Sequence, residues 1–163
     1  MPNWCENRID VKGNPADILK MAEVIKGEKT EFDFDKVIPY PEMYAKLDAD
    51  DVEWHSKGFQ AGGYDWCIDN WDTKWNTDGA QIDVYGDGAT ISFLTANSPS
   101  LKVTGALSKM FPDLLFVHNY EEGGMDYSGF VEFKGGKSIT EAQGGYNRFP
   151  ITEHDEEDAW WGG

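Results

Sequence analysis

Ala80-Gln81-Ile82-Asp83-Val84-Tyr85-Gly86-Asp87-Gly88-Ala89-Thr90-Ile91-Ser92-Phe93-Leu94-Thr95 is two runs of alternating apolar and polar residues about Gly-Asp-Gly. Alternation is the period of a strand with one buried face, and the glycines supply the positive φ angles of a tight turn, so 80–85 and 89–95 read as a β-hairpin. Outward from it, Val103, Ala106, Leu107, Met110 and Phe111 recur at helical steps after Ser98-Pro99-Ser100, which reads as the cap, and before Pro112. Leu114–Tyr120 and Tyr127–Phe133 are two further strands about Glu121-Glu122-Gly123-Gly124.

Upstream, Cys5, Asn7, Ile9 and Val11 alternate with Glu6, Arg8, Asp10 and Lys12, which predicts a half-buried first strand. Asn14-Pro15-Ala16-Asp17 follows as N-cap, proline at the first helical position and an acid in the first turn. Ile18, Met21, Ala22 and Ile25 then mark the packed face of a helix that stops at Gly27. Residues 31–41 suggest a short strand running into a proline-bounded loop. Residues 41–57 suggest an acidic helix, and Tyr64, Cys67, Ile68, Trp71 and Trp75 fall on one side of another. The order β, α, β, acidic helical insert, β, β, α, β, β predicts an α+β fold, an antiparallel sheet with two helices on one face. The domain is expected over 1–133, its insert over about 42–78, and a loosely ordered acidic and aromatic tail over 134–163.

The 163 residues make about one domain, and 14% aromatic content excludes a mainly disordered chain. No apolar run reaches membrane-span length, and the start Met1-Pro2-Asn3-Trp4-Cys5-Glu6 lacks a signal-like core. Cys5 and Cys67 are too few for a disulfide scaffold, so a soluble protein of a reducing cytoplasm is expected. Both cysteines read as buried small apolar groups.

Fourteen basic against 30 acidic residues give a net charge of −16. Residues 50–87 hold nine acids against Lys57 and Lys74, and residues 151–163 hold five acids and no base. That field repels phosphates and anionic lipid, so direct duplex-DNA binding and membrane binding are not expected.

Several blocks together resemble a known family: Met1-Pro2-Asn3-Trp4-Cys5-Glu6-Asn7, then Trp66-Cys67 with Trp71, Thr73, Lys74 and Trp75. Phe93, Thr95, Ala96, Ser98 and Pro99 follow, then Phe111-Pro112 with Leu114, Tyr120, Glu122, Gly123 and Gly129. In this order they are similar to the YubB-type proteins of bacteriophages and plasmids, over about residues 1–133. The resemblance implies a ferredoxin-like domain and a mobile-element origin, and it implies no activity or catalytic residues. Asp72 stands where that family usually has glycine, and Asn97 where it usually has tryptophan. A pocket built around that tryptophan would be altered in this chain.

Three histidines and two cysteines form no tight constellation in the sequence. His118-Asn119-Tyr120-Glu121-Glu122 lacks the second histidine of a zinc protease motif and reads as a strand end, with His118 in a structural or surface role. Lys74–Gly79 has Asn, Asp and Gly where a calcium loop has them, but Lys at the first ligand place and Tyr85 at the twelfth. No metal or cofactor is expected. The Trp66–Trp75 aromatics read first as core, and otherwise as a platform for a base or a partner protein.

Three function classes follow. The first is a non-enzymatic acidic binding protein that meets a basic partner surface through Asp50, Asp51, Glu53, Trp54, Asp65, Asp69 and Asp72. Its partner would be a host nucleic-acid-handling or defence enzyme, engaged by DNA mimicry as anti-CRISPR inhibitors do. The second is a single-stranded nucleic-acid binder whose tail, with Glu153, Asp155, Glu156, Glu157, Asp158, Trp160 and Trp161, recruits partners. The third is an enzyme on a small ligand, which would need a pocket the sequence does not announce.

Overall fold

The structure, a computed structural model, describes residues 2–49, 57–149 and 151. Six strands form one antiparallel sheet in the order β2-β3-β1-β4-β5-β6, with β1 (Trp4–Lys12), β2 (Asp78–Tyr85), β3 (Gly88–Ala96), β4 (Leu115–Glu122), β5 (Tyr127–Lys134) and β6 (Lys137–Gly144). Helix α1 (Pro15–Val24) joins β1 to the segment leading into β2, and α4 (Leu101–Met110) joins β3 to β4. The order β1-α1-β2-β3-α4-β4, with β1 between β3 and β4, is the split βαβ arrangement of a ferredoxin-like α+β domain.

The hairpin register Tyr85↔Gly88 leaves Gly86-Asp87 as a two-residue turn. Of its residues only Gly86 has a positive φ, 44°, which is the glycine-first turn that matches strand twist. Gly88 serves another need, because a Cβ there would lie 2.7 Å from the Tyr85 ring.

The helix-side face of the sheet carries Ile9, Val11, Ala89, Ile91, Phe93, Phe116, Val131 and Phe133. They pack with Ile18, Met21 and Ile25 of and after α1, and with Val103 and Leu107 of α4. Each such large side chain contributes roughly 1.5–3 kcal/mol when removed from water. Asn14 caps α1 as the sequence predicts, its Oδ1 accepting from Ala16 N at 2.8 Å.

Four expectations are corrected. Residues 31–41 form no strand. Phe32 and Phe34 are both fully buried, and a 3-10 turn at Phe34–Lys36 sits there because the local backbone bonds to side chains rather than to a ladder: Phe34 N donates to Asn76 Oδ1 (3.0 Å) and Asp35 N to Asp33 Oδ1 (3.0 Å). The tryptophan-rich helix α3 (Tyr64–Trp71) stops four residues before Trp75, because Asp72 turns left-handed at φ 63°. The sheet's second strand starts at Asp78, two residues before the expected start at Ala80. The chain does not loosen at 134: β6 pairs with β5 from Lys137 to Gly144, since Gly135 and Gly136 take positive φ and reverse it. The ordered unit therefore passes the expected boundary at 133.

The insert itself comprises α2 (Glu42–Ala49) and a π-helical turn, Phe59–Gly63, that runs into α3.

Candidate partner-binding surface

The residues between α1 and β2 build an opening of about 380 Å³ on the flank of the core. Burial of Phe32 and Phe34, whose rings meet edge to face at 5.2 Å, fixes the alternating Asp33 and Asp35 at its rim. Asp33 Oδ1 also accepts from Asn76 Nδ2 at 2.8 Å, and Asp35 Oδ1 accepts from Tyr40 N at 2.6 Å. On α2, Asp48 accepts from the Tyr40 hydroxyl (3.1 Å) and from Phe59 N (2.9 Å). Each of these carboxylates is held by one or two donors and keeps further lone pairs.

Aromatic rings form the walls. Tyr40 lies 5.6 Å from Trp66 and 5.9 Å from Trp71, and Trp71 Nε1 donates to Ile38 O at 2.9 Å. Phe59 and Trp75 complete the lining. Burial, then the Asp48 carboxylate, raises the Tyr40 hydroxyl well above its usual range. Cys67 lines the same opening, its thiol pushed up to about 12, mainly by burial. A protonated phenol and thiol add no charge, so the formal charge of the opening comes from its three carboxylates and Lys74. The Lys74 Nζ sits 4.5 Å from the Trp75 ring centroid, so an ammonium already uses one aromatic wall.

Asp65 and Asp69 are exposed on α3, as a partner-binding role requires. Asp72 is not: its Oδ2 accepts from Lys102 N at 2.8 Å, which caps α4. Of the expected cap Ser98-Pro99-Ser100, Ser100 stands at the N-cap position but makes no side-chain cap bond, and Ser98 donates to the Asp72 carbonyl. Asp50, Asp51, Glu53 and Trp54 lie outside the described residues, as do the tail residues Glu153, Asp155, Glu156, Glu157, Asp158, Trp160 and Trp161. Of the tryptophans read as core or platform, Trp71 is buried, Trp66 half-buried, and Trp75 37% exposed. The sequence reading missed Asp33, Asp35 and Asp48. The signal was the Phe-Asp-Phe-Asp run, whose two rings bury and leave the acids at the surface.

His118 is fully buried and held at both nitrogens. Asn7 Nδ2 donates to Thr95 Oγ1 (2.8 Å) and Cys5 O (3.1 Å), so its Oδ1 accepts from His118 Nε2 (2.8 Å). Nδ1 then accepts from the Thr104 hydroxyl at 2.8 Å. Burial lowers the imidazole pKa to about 3 and raises the Cys5 thiol to about 11. This network ties β1, β3, β4 and α4 together and poises neither group for proton transfer or attack. Among the described residues no three His, Cys, Asp or Glu side chains gather as a metal site, and no helix is long and apolar enough to cross a membrane.

A larger opening, about 750 Å³, lies between the end of α3 and the β5–β6 edge, lined by Ile68, Leu101, Tyr120, Met125 and Tyr127 with Asp72 and Asn97. The Tyr127 hydroxyl donates to Asn97 O, and Asn97 itself is left-handed at φ 68°. Asp72 and Asn97 thus line one opening.

The family model described as the ferredoxin-like domain in Api92-like protein matches residues 70–162. That span runs from the end of α3 through β6 and leaves out β1, although β1 pairs at the centre of the sheet. No curated protein matches the chain. Its fold is similar to the crystal structure of the protein api92 from Yersinia pseudotuberculosis, with a TM-score of 0.58 over 93% of this chain and 100% of that one. At 10% identity the likeness is one of fold. With a ferredoxin-like sheet and a family match over more than half of the sequence, the chain belongs to the family defined by the ferredoxin-like domain of Api92-like proteins.

Proposed function

We propose that this protein is a non-enzymatic binding protein that engages a basic protein partner, with the acid-and-aromatic opening receiving an arginine or lysine side chain. The observation that carries this reading is the convergence of Asp33, Asp35 and Asp48 on one cavity walled by Tyr40, Trp71 and Trp75. Carboxylates in front of aromatic faces are the chemistry that recognises a guanidinium or ammonium, through charge-assisted hydrogen bonds and cation–π contact. Asp65 and Asp69 on α3 and the overall charge of −16 extend the same polarity beyond it. The partner that suits this surface is a host nucleic-acid-handling or defence enzyme, whose phosphate-binding cations would meet carboxylates in place of DNA. With the resemblance to YubB-type proteins, the reading includes a phage or plasmid origin and a cytoplasmic site of action.

A peptide with one central arginine and its citrulline counterpart test the reading, because citrulline keeps the shape and removes the charge. The arginine peptide is expected to bind roughly tenfold or more tightly, the scale of one charge-assisted contact. Equal binding, or submicromolar binding of duplex DNA at physiological salt, would refute it.

A further inference from the structure

The larger opening, about 750 Å³, is of small-molecule size, and the partner-binding reading makes no use of it. Its floor follows from one row of the sheet. Tyr120 of β4, Gly129 of β5 and Gln143 of β6 are register partners and share the helix-side face. Gly129 leaves a gap in the row, and the Tyr120 ring leans into it, since a Cβ at Gly129 would collide with the Tyr120 hydroxyl. Apolar walls come from three other elements: Ile68 of α3, Leu101 at the start of α4 and Met125 in the β4–β5 turn. Ile68 is 39% and Met125 55% exposed, so no described part of the chain covers these two walls.

The polar groups on the lining are mostly unspent. Tyr120 is only 5% exposed, yet among the described residues its hydroxyl makes no hydrogen bond. A phenol that deep ordinarily has a partner. The side-chain amides of Asn97 and Gln143 make no hydrogen bond among the described residues either, whereas the Tyr127 hydroxyl is already given to Asn97 O. No lysine or arginine belongs to the lining, and its one acid, Asp72, is engaged by the Lys102 backbone. The opening thus offers uncharged donors and acceptors beside an aromatic ring and apolar walls.

We propose that this opening is a binding site for a neutral purine nucleoside of the adenosine type. An Asn or Gln amide holds an N–H and a C=O side by side, which match the adjacent ring nitrogen and amine of adenine. The Tyr120 hydroxyl adds a donor for a further ring nitrogen, and the apolar walls take the faces of the base. Charge sets the limit of the class. Without a cation on the lining, and in a chain of net charge −16, a phosphate is repelled while an uncharged nucleoside is not.

Methyl NMR of the full chain titrated with adenosine tests this. The Ile68 and Met125 methyl signals are expected to shift saturably, while Ile139, exposed near the start of β6, stays unmoved. Ribose alone is expected to shift neither. Adenosine monophosphate, which adds the charge, and purine riboside, which lacks the amine, are each expected to bind roughly three- to tenfold more weakly. Tyr120→Phe keeps the ring, and Gln143→Ala changes an exposed position on an outer strand. Both are expected to weaken adenosine by a similar factor and to leave arginine-peptide affinity unchanged. No saturable shift, an equal response to ribose, equal affinity for the monophosphate or for purine riboside, or unchanged affinity in both variants would overturn the proposal.

Discussion

Asp72 caps a helix to which it does not belong: left-handed at the end of α3, it accepts the backbone N–H of Lys102, the second residue of α4, at 2.8 Å. The bond fixes the angle between the two helices, and it uses an acid that the sequence offers equally well to a partner. Lys102 Nζ adds a bond to Asp69 O at 2.7 Å, while its 3.7 Å approach to Asp72 is half-exposed and contributes little.

Replacing Asp72 therefore acts on stability. Asp72→Ala is expected to cost about 1–2 kcal/mol, the usual loss of an N-cap, with partner binding unchanged. Asp72→Gly is expected to cost less, because glycine relieves the left-handed backbone while losing the cap. Urea unfolding of the two variants checks the ranking, and an Asp72→Ala protein as stable as the parent would remove the capping role.

The His118 network makes a pH prediction. The folded-state pKa is lowered to about 3 from 6.5, so this group's contribution is complete above pH 6.5 and is lost as pH falls from there towards 3. The imidazole carbon shift is expected to show no titration near 6.5 while the fold persists. Thr104→Val leaves Nδ1 without its donor and is expected to cost about 1–3 kcal/mol. A normal titration near 6.5 would contradict the neutral, fully bonded ring.

Glu6 and Glu121 stand opposite each other in the β1–β4 register. Burial, then the Glu6 side chain, raises the Glu121 pKa, so the folded state favours its protonated form and stability falls as pH rises through that pKa. Glu121→Gln keeps an acceptor for Ile151 and removes the like-charge pair. It is expected to raise stability at neutral pH by about 0.5–1 kcal/mol and to make no difference at acid pH, where both proteins are uncharged there. Thermal melts at the two pH values decide it.

Much of the fold was legible because its signals are local. Alternation in 80–95 and 4–12, the Asn14-Pro15 helix start and the 103–111 stripe each depend on residues within a few positions. β6 was not legible: of its residues only Ala142 and Gly144 are partly shielded, and Ser138, Thr140, Glu141 and Gln143 stay exposed. The Phe-Asp-Phe-Asp run misled because alternation fits a strand and also fits a turn that buries both rings. The candidate site was legible only in its aromatics, Trp71 and Trp75. Its acids come from 33, 35 and 48, and contacts across more than 40 residues, such as Phe34 N to Asn76 Oδ1, bring them to the tryptophans. Asp72 shows the converse: composition marks an acid as available, and only geometry reveals that it is already engaged.

The opening between α2 and α3 is the central claim, and general acidity is its rival. Two double variants separate them with the same loss of charge: Asp35→Asn with Asp48→Asn inside the opening, and Asp83→Asn with Asp87→Asn on the β2–β3 hairpin. Asparagine still accepts the backbone bonds from Tyr40 and Phe59, so the opening keeps its shape. The measurement is the equilibrium affinity of both proteins for the arginine peptide at physiological salt. The opening's variant is expected to bind roughly tenfold or more weakly and the hairpin's variant within about twofold of the parent. Equal losses in the two would show that the peptide reads net charge alone and would contradict the site.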